Sequence, residues 1–219
     1  MTWLTYTIDA IRGFITLGGP VVALLLVMSV LSLAVVLYKI IQFRRFGVGR
    51  RASLEAALMA YDRGDMHGLQ LGMQRSRSHL SFVFSETLEA DTADKTRLAE
   101  RLAARVEDRL AQLETGFRPL DTIAQTAPLL GLFGTVLGMI EAFQNLQGAG
   151  TSVDPSLLAG GIWVALMTTA VGLAVSMPTA LLLTWLESRV AGERVFADKA
   201  LNMLLCPAEQ AKEPIHAAA

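Results

Sequence analysis

Three long apolar runs, separated by stretches rich in charge, dominate the pattern of hydrophobic and polar positions along the chain. The first run occupies residues 17–38, the second residues 122–146 and the third residues 157–186. An α-helix needs about 20 apolar residues to cross the roughly 30 Å hydrocarbon layer of a membrane, and each run is that long. The pattern therefore predicts an all-α integral membrane protein with three transmembrane helices.

A removable secretory signal peptide is the alternative interpretation of the first run. The residues before the run lack the basic segment with which such peptides begin. The residues after it bring Lys39, Arg44 and Arg45 in place of a small-residue cleavage site. We therefore expect the first helix to be retained as a membrane anchor.

Charge asymmetry between the connecting segments predicts how the helices are oriented. Residues 39–121 contain 14 of the 19 basic residues, whereas the turn at 147–156 contains no Lys or Arg and only one acid, Asp154. Basic segments stay on the cytoplasmic side of a membrane. We expect the N-terminus and the 147–156 turn outside, in the periplasm, and residues 39–121 and 187–219 in the cytoplasm.

The connecting segments carry helical patterns of their own. Residues 1–16 repeat apolar positions at helical spacing and predict an amphipathic helix lying in the outer membrane interface. Residues 39–121 predict a cytoplasmic helical bundle, whose last helix is expected to run on into the second span despite Pro119. Residues 187–219 predict a C-terminal helix and a loose tail. The apolar face of the last bundle helix is formed by Leu98, Leu102, Val106, Leu110, Leu113, Phe117 and Leu120.

Small residues recur at helical spacing in the second and third spans. Such residues let helix backbones approach closely in lipid, where packing replaces the hydrophobic effect as the source of attraction. Two matched stripes on consecutive spans therefore predict a tight multi-helix assembly. The residues expected to pack are Gly131, Gly134, Gly138, Gly161, Ala165, Gly172 and Ser176.

Polar residues inside the spans are the candidates for function. Thr135 and Thr169 lie near mid-membrane depth, where a threonine hydroxyl either bonds back to its own helix or lines a pore, and the residues alone leave both interpretations open. Pro128 and Pro178 are interpreted as helix kinks, tolerated because neighbouring helices can satisfy the freed carbonyls. Glu141 comes late in the second span and is expected at the outer interface.

Ionisable residues are absent from the sequence between 122 and 140 and between 156 and 185. A proton path across the hydrocarbon normally needs a titratable group along it. If this chain conducts protons, a partner must therefore supply that group.

Composition narrows the function classes further. The chain is 53% hydrophobic and 18% charged with a formal net charge of −1, which gives no indication of nucleic-acid binding. The single cysteine, Cys206, cannot form an internal disulfide, and the three histidines lack metal-ligand spacing. No catalytic cluster lies on or near the spans, so we expect neither an enzyme nor a cofactor or metal site.

Two strings of residues resemble the signatures of a known family. Residues 126–140 (TAPLLGLFGTVLGMI) are similar to the second-span signature of the MotA/TolQ/ExbB proton-channel family. Gly161-Ile162, then residues 165–174 (ALMTTAVGLA) and Pro178, resemble its third-span signature. Three spans and this length resemble ExbB and TolQ more than MotA, which has four spans.

The resemblance implies a pore-forming stator subunit of a motor in the bacterial inner membrane, driven by the proton-motive force. It implies a homopentamer whose second and third spans line a central pore. Two copies of a single-span partner of the ExbD/TolR type occupy that pore, each with an intramembrane aspartate, and carry energy to the cell envelope or outer membrane. The pore threonines of the family fall on Thr135 and Thr169.

One position departs from the family pattern and three other functions compete with this one. ExbB and TolQ have a glutamate where this chain has Val164, so the role of that glutamate is absent here or supplied elsewhere. A non-conducting oligomeric membrane scaffold would also explain the small-residue stripes and the missing carboxylates. A membrane enzyme is disfavoured by the missing catalytic cluster, and an autonomous channel by the charge-free interior of the spans.

Overall fold

The structure is a computed structural model that describes residues 2–89, 95–148 and 155–205, with side chains from residue 19 onward except at 148, 155 and 157. The described residues form helices and contain no strand. Helical segments within 19–46, 95–147 and 158–205 are long and apolar enough to cross a membrane. The predicted all-α fold with three membrane-spanning helices is thus confirmed. The helices are α1 (Thr2–Phe46), α2 (Ala52–Asp62), α3 (Met66–Arg75), α4 (Ser81–Glu89), α5 (Lys95–Glu114), α6 (Phe117–Gly148) and α7 (Pro155–Leu205).

Helix α1 consists of two helical segments that meet at Gly19. This glycine has φ 64° and ψ −161°, a conformation that residues with a side chain rarely adopt. Pro20 follows at the first position of the second segment, where its missing N–H costs no helical hydrogen bond. The second segment contains the first apolar run from Pro20 onward and continues to Phe46.

The expected continuous helix from the bundle into the second span is wrong. Helix α5 ends at Glu114, and Gly116, with φ 93°, separates it from α6. Pro119 is the third residue of α6, within the first turn, where proline is tolerated. The break therefore falls at the glycine. The predicted 147–156 turn is largely outside the described residues, as are the tail and Cys206 beyond Leu205.

The chain divides into two compact units. The span unit comprises residues 1–37 and 116–184, and the bundle unit residues 38–115 and 185–219. A small cluster in the span unit joins parts of all three spans. Its buried members are Val21 and Leu25 of α1, Ile123 and Ala127 of α6, and Val175 of α7.

Large aliphatic side chains fill the core of the bundle unit. The predicted apolar face of α5 is confirmed as its buried face, with Leu102, Val106, Leu110 and Leu113 at most 2% exposed. Helices α2 and α3 pack against each other as a helical hairpin. At the N-terminus of α3, the Asp65 carboxylate accepts a hydrogen bond from the Gly68 N–H, as helix-capping residues do.

Charged and polar groups are buried in the same core. Lys39, 1% exposed, donates to the Gln42 side chain (2.7 Å) and to the Leu113 carbonyl (3.0 Å). Because α5 ends one residue later, that carbonyl lacks a partner within its own helix, and a cation there is favoured by the helix dipole. Burial lowers the pKa of His79 to about 4, with the charge of Arg109 contributing and the Phe46 backbone opposing.

Candidate functional site in the second and third spans

In the span unit, helices α6 and α7 contact each other at positions where both carry glycine. A Cβ atom added to Gly131 would lie 3.0 Å from the Thr168 carbonyl oxygen and from the Thr169 Cα. A Cβ on Gly172 would lie 2.6 Å from the Ala127 carbonyl oxygen, closer than real Cβ contacts come. The two backbones approach closely at these positions, which requires glycine on both helices.

The same contact continues toward the other end of the helix pair. A Cβ on Gly134 would lie 2.5 Å from the Thr168 hydroxyl, and one on Gly138 would lie 3.1 Å from the Ala165 Cβ. At Gly161 an added Cβ would lie 2.5 Å from the Ala142 Cβ. The structure thus places the glycines of both predicted stripes within one helix–helix contact.

Three threonine hydroxyls lie around this contact, and their protons go to backbone carbonyls. Thr135 donates to the Leu132 carbonyl of its own helix (2.6 Å). Thr169 donates across the pair to the Gly131 carbonyl (3.1 Å). Thr168, only 2% exposed, lies 3.1 Å from the same carbonyl oxygen and 2.7 Å from that of Ala165. Thr135 and Thr169 are partly exposed, so their oxygens can still accept hydrogen bonds.

Thr168 is the residue of this group that the sequence did not single out as a functional candidate. Its spacing from Ala165 and Gly172 places Thr168 on the same helix face as those packing residues, whereas Thr169 is one position away from that face. The two differ only in direction, since Thr168 is buried between the helices and Thr169 is partly exposed. That difference follows from the angular position of each side chain on α7, and the helical spacing of Thr168 from the small packing residues is the signal that could have identified it.

A proline and a serine form a complementary pair across the two helices. Proline has no N–H, so Pro128 leaves the Ala124 carbonyl, four residues earlier, without its helical partner. The buried Ser176 hydroxyl donates to that oxygen at 2.6 Å. The partner helix therefore supplies the hydrogen bond that Pro128 removes. Pro178 lies inside α7, which continues through it to Leu205.

A cleft of about 170 Å³ lies near the end of α6 and the start of α7. Glu141 and Asn145 provide its polar lining, while Ala142, Val164 and the glycines 138, 160 and 161 provide the rest. Glu141 itself is exposed. Val164, the position that departs from the family pattern, and Glu141 therefore line the same cleft from opposite helices.

The other faces of both helices present large apolar side chains. Leu129 of α6 is 64% exposed and Leu181 of α7 is 72% exposed. Exposing such faces to water is unfavourable, so lipid or further protein covers them. Among the described residues, no group of His, Cys, Asp or Glu is placed to hold a metal ion.

A multi-pass helical membrane protein, with a glycine-packed and hydroxyl-bearing pair of spans, is the class that this fold and site define. The family model of the MotA/TolQ/ExbB proton channel family matches residues 69–197, well over half of the chain. The chain belongs to this family and is an ExbB/TolQ-like subunit.

Several curated proteins are similar to the chain. It is 36% identical over 102 residues to biopolymer transport protein exbB1 of Vibrio cholerae, an alignment covering 45% of each chain. It is 33% identical over 123 residues to ExbB of Pseudomonas putida, covering 54% of this chain and 37% of that protein. The chain thus spans less than half the length of these two relatives. With ExbB of Neisseria meningitidis serogroup A it shares 30% identity over 187 residues, covering 78% of this chain and 84% of the relative.

Proposed function

We propose that the chain is the pore-forming stator subunit of an inner-membrane motor driven by the proton-motive force. Five copies enclose a central pore lined by their second and third spans. A dimer of a single-span ExbD/TolR-type partner occupies the pore and carries force to the cell envelope or outer membrane. Family membership and the transport role printed in the relatives' names support this assignment.

The proposal rests on one observation: the second and third spans carry hydroxyl groups but no acidic residue at mid-membrane depth. Thr135 and Thr169 are partly exposed on helices that contain no ionisable residue between 122 and 140 or between 156 and 185. Such a surface can conduct protons only with a carboxyl group brought by another chain. The glycine contact keeps α6 and α7 together, so that the two threonines present their oxygens from one rigid pair.

The hydrogen bonds of the two threonines define what they offer to a partner. Both protons are donated to carbonyls of this chain, to Leu132 from Thr135 and to Gly131 from Thr169. The remaining lone pairs are acceptors. They match the O–H of a protonated carboxyl group, and a neutral carboxyl group passes an apolar wall far more readily than a carboxylate.

Proton entry from the outside neutralises one partner carboxyl group, and release to the cytoplasm recharges it. Each proton supplies about 2.3 kcal/mol per 100 mV of membrane potential. A pH difference adds about 1.4 kcal/mol per unit. Alternating protonation of two carboxyl groups in a five-fold ring then turns the partner stepwise, because a dimer cannot match all five positions at once.

The test is proton flux into vesicles that contain the chain and its single-span partner. Thr169→Val and Thr135→Val should each lower the flux about tenfold, the effect of losing one hydrogen bond of about 1.4 kcal/mol. Thr169→Ser should keep the hydroxyl and most of the flux. Thr184→Val is the matched control, since Thr184 is an exposed threonine that bonds back to Ala180 at the end of the third span.

Two results would contradict the proposal. Unchanged flux in both valine variants would remove the hydroxyls from the proton path. Assembly of the wild-type chain with its partner, but without any flux, would instead support the non-conducting scaffold.

A further inference from the structure

A basic cleft of about 300 Å³ lies in the bundle unit, where α1 ends and α7 leaves its apolar stretch. Three arginines line it: Arg44 on α1, Arg50 in the following loop, and Arg189 on α7. No acidic side chain is among the described residues that line it. Neither Arg44 nor Arg50 forms an ion pair within the described part of the chain, so both cations are available to an anion.

The lining of the cleft is amphipathic. Phe43 and Val48 contribute apolar surface beside the arginines, and Trp185 contributes an indole ring. The Arg189 guanidinium lies over that ring, 5.3 Å from its centroid. Tryptophan is enriched at membrane–water interfaces, where its amphipathic ring lies at the level of the lipid headgroups.

The wall of the cleft is fixed by a buried carboxylate. Glu193, fully buried on α7, accepts a hydrogen bond from the Gly49 N–H (2.7 Å) and lies 3.4 Å from the Arg51 guanidinium. Gly49 has φ 84°, and an added Cβ would lie 3.0 Å from an Arg189 nitrogen. The loop that carries Arg50 is thus anchored on α7, and Arg50 and Arg189 line the same cleft.

Position along the helices relates the cleft to the membrane surface. Arg44 follows the first apolar run by six residues, and Arg189 follows the third by three. At 1.5 Å per residue, both lie within about 10 Å of the ends of the spans, at the depth of lipid headgroups. Basic pockets at this depth between membrane helices bind anionic phospholipids.

We propose that this cleft binds the phosphate of an anionic phospholipid, with the three arginines on the phosphate and the apolar wall against the start of the acyl chains. The volume is at the lower end of the range for small-ligand sites, enough for a headgroup. The cleft shares no residue with the proposed proton path. Its test therefore needs neither the partner nor proton flux.

The experiment measures which lipid the purified full-length chain retains. The chain is reconstituted in nanodiscs of phosphatidylglycerol and phosphatidylcholine in equal amounts, extracted in mild detergent, and examined by native mass spectrometry. Wild type should retain phosphatidylglycerol in preference. Arg44→Gln and Arg50→Gln should each lower that preference about fivefold. Arg45→Gln is the matched control, because Arg45 is exposed next to Arg44 but does not line the cleft.

Three results would overturn the proposal: no lipid preference in wild type, an equal loss in Arg45→Gln, or displacement of the lipid by millimolar inorganic phosphate. The last result would assign the cleft to a soluble anion. A second measurement keeps every cleft residue intact. In a Trp3→Phe/Trp163→Phe background, fluorescence of Trp185 should be quenched more by phosphatidylglycerol brominated near the carbonyl end of its chains than by the matching phosphatidylcholine. Equal quenching would also overturn it.

Discussion

Helix α7 packs by different means in its two halves. In the span unit it meets α6 through glycines, hydroxyls and backbone carbonyls, with Gly172 against Ala127 and Ser176 bonded to Ala124. In the bundle unit the same helix buries Leu186, Val190 and Phe196 and holds an ion pair from Arg194 to Glu107 (3.1 Å). The contacts of α7 therefore differ in kind between its two halves: close backbone approach in the first, and buried large side chains with an ion pair in the second.

The difference reflects the solvent around each half. In lipid, burying an aliphatic side chain gains little, so close backbone contact and hydrogen bonds must hold helices together. In water, burial of a leucine side chain supplies about 1.5–3 kcal/mol, and a few buried polar groups can be accommodated. The change from one regime to the other falls near residue 185, where the third apolar run ends.

The largest expected effect is loss of the close contact in the span unit. Gly172→Ala places a methyl group 2.6 Å from the Ala127 carbonyl oxygen. We expect the free energy of unfolding in detergent to fall by about 2–3 kcal/mol, because backbone atoms cannot move aside as a flexible side chain can. Gly160→Ala is the control, since nothing lies within 4 Å of its added Cβ. A similar loss in both variants would show that close approach is not what glycine provides here.

An effect of comparable size is expected in the bundle unit at low pH. Burial lowers the pKa of His79 from its usual 6.5 to about 4, so the unfolded chain binds a proton first as the pH falls. Stability should decrease between pH 6.5 and pH 4, by at most about 1.4 kcal/mol per unit and about 3 kcal/mol in total. Denaturant unfolding at several pH values measures this.

The control for this pH dependence is the exposed histidine of the same unit. His79→Gln should flatten the dependence over that range, whereas His67→Gln should leave it unchanged. An unaltered pH profile in His79→Gln would mean that other groups, and not this buried ring, are responsible.

The smallest effect concerns the serine that replaces a missing helical hydrogen bond. Ser176→Ala should cost about 1 kcal/mol, because the Ala124 carbonyl then has no donor within the span pair. In a Pro128→Ala background the restored N–H at position 128 can bond to that carbonyl, and Ser176→Ala should cost less by roughly 0.6 kcal/mol or more. Additive effects of the two substitutions on the free energy of unfolding would show that Ser176 does not compensate for the N–H that Pro128 lacks.

Periodicity and run length were sufficient to predict the fold class. Each of the three apolar runs is long enough, as a helix, to cross the membrane, which left few alternative fold classes. The apolar face predicted for the last bundle helix matched the buried face of α5. The break at Gly116 was missed because an apolar period can continue through a turn of two residues. Gly116, rather than the more conspicuous Pro119, was the informative residue, since proline in a first helical turn breaks nothing.

Pairing between helices was harder to predict than the faces that pair. Small residues indicated which sides of the second and third spans are close-packed, but not that Ser176 lies opposite the carbonyl freed by Pro128. That match depends on the register of two helices, which no single-helix pattern contains. Lys39 is a similar case: the sequence marked it as the first charge after a span, whereas the fold buries it at the end of α5.

The most direct test of the central claim is whether proton flux requires a carboxyl group that the partner chain supplies. Vesicles would contain the chain alone, the chain with its single-span partner, or the chain with a partner whose intramembrane aspartate is replaced by asparagine. We predict flux only with the intact partner, because the membrane-spanning stretches of this chain carry no acid at mid-depth. Equal flux from the chain alone, or with the asparagine partner, would contradict the account.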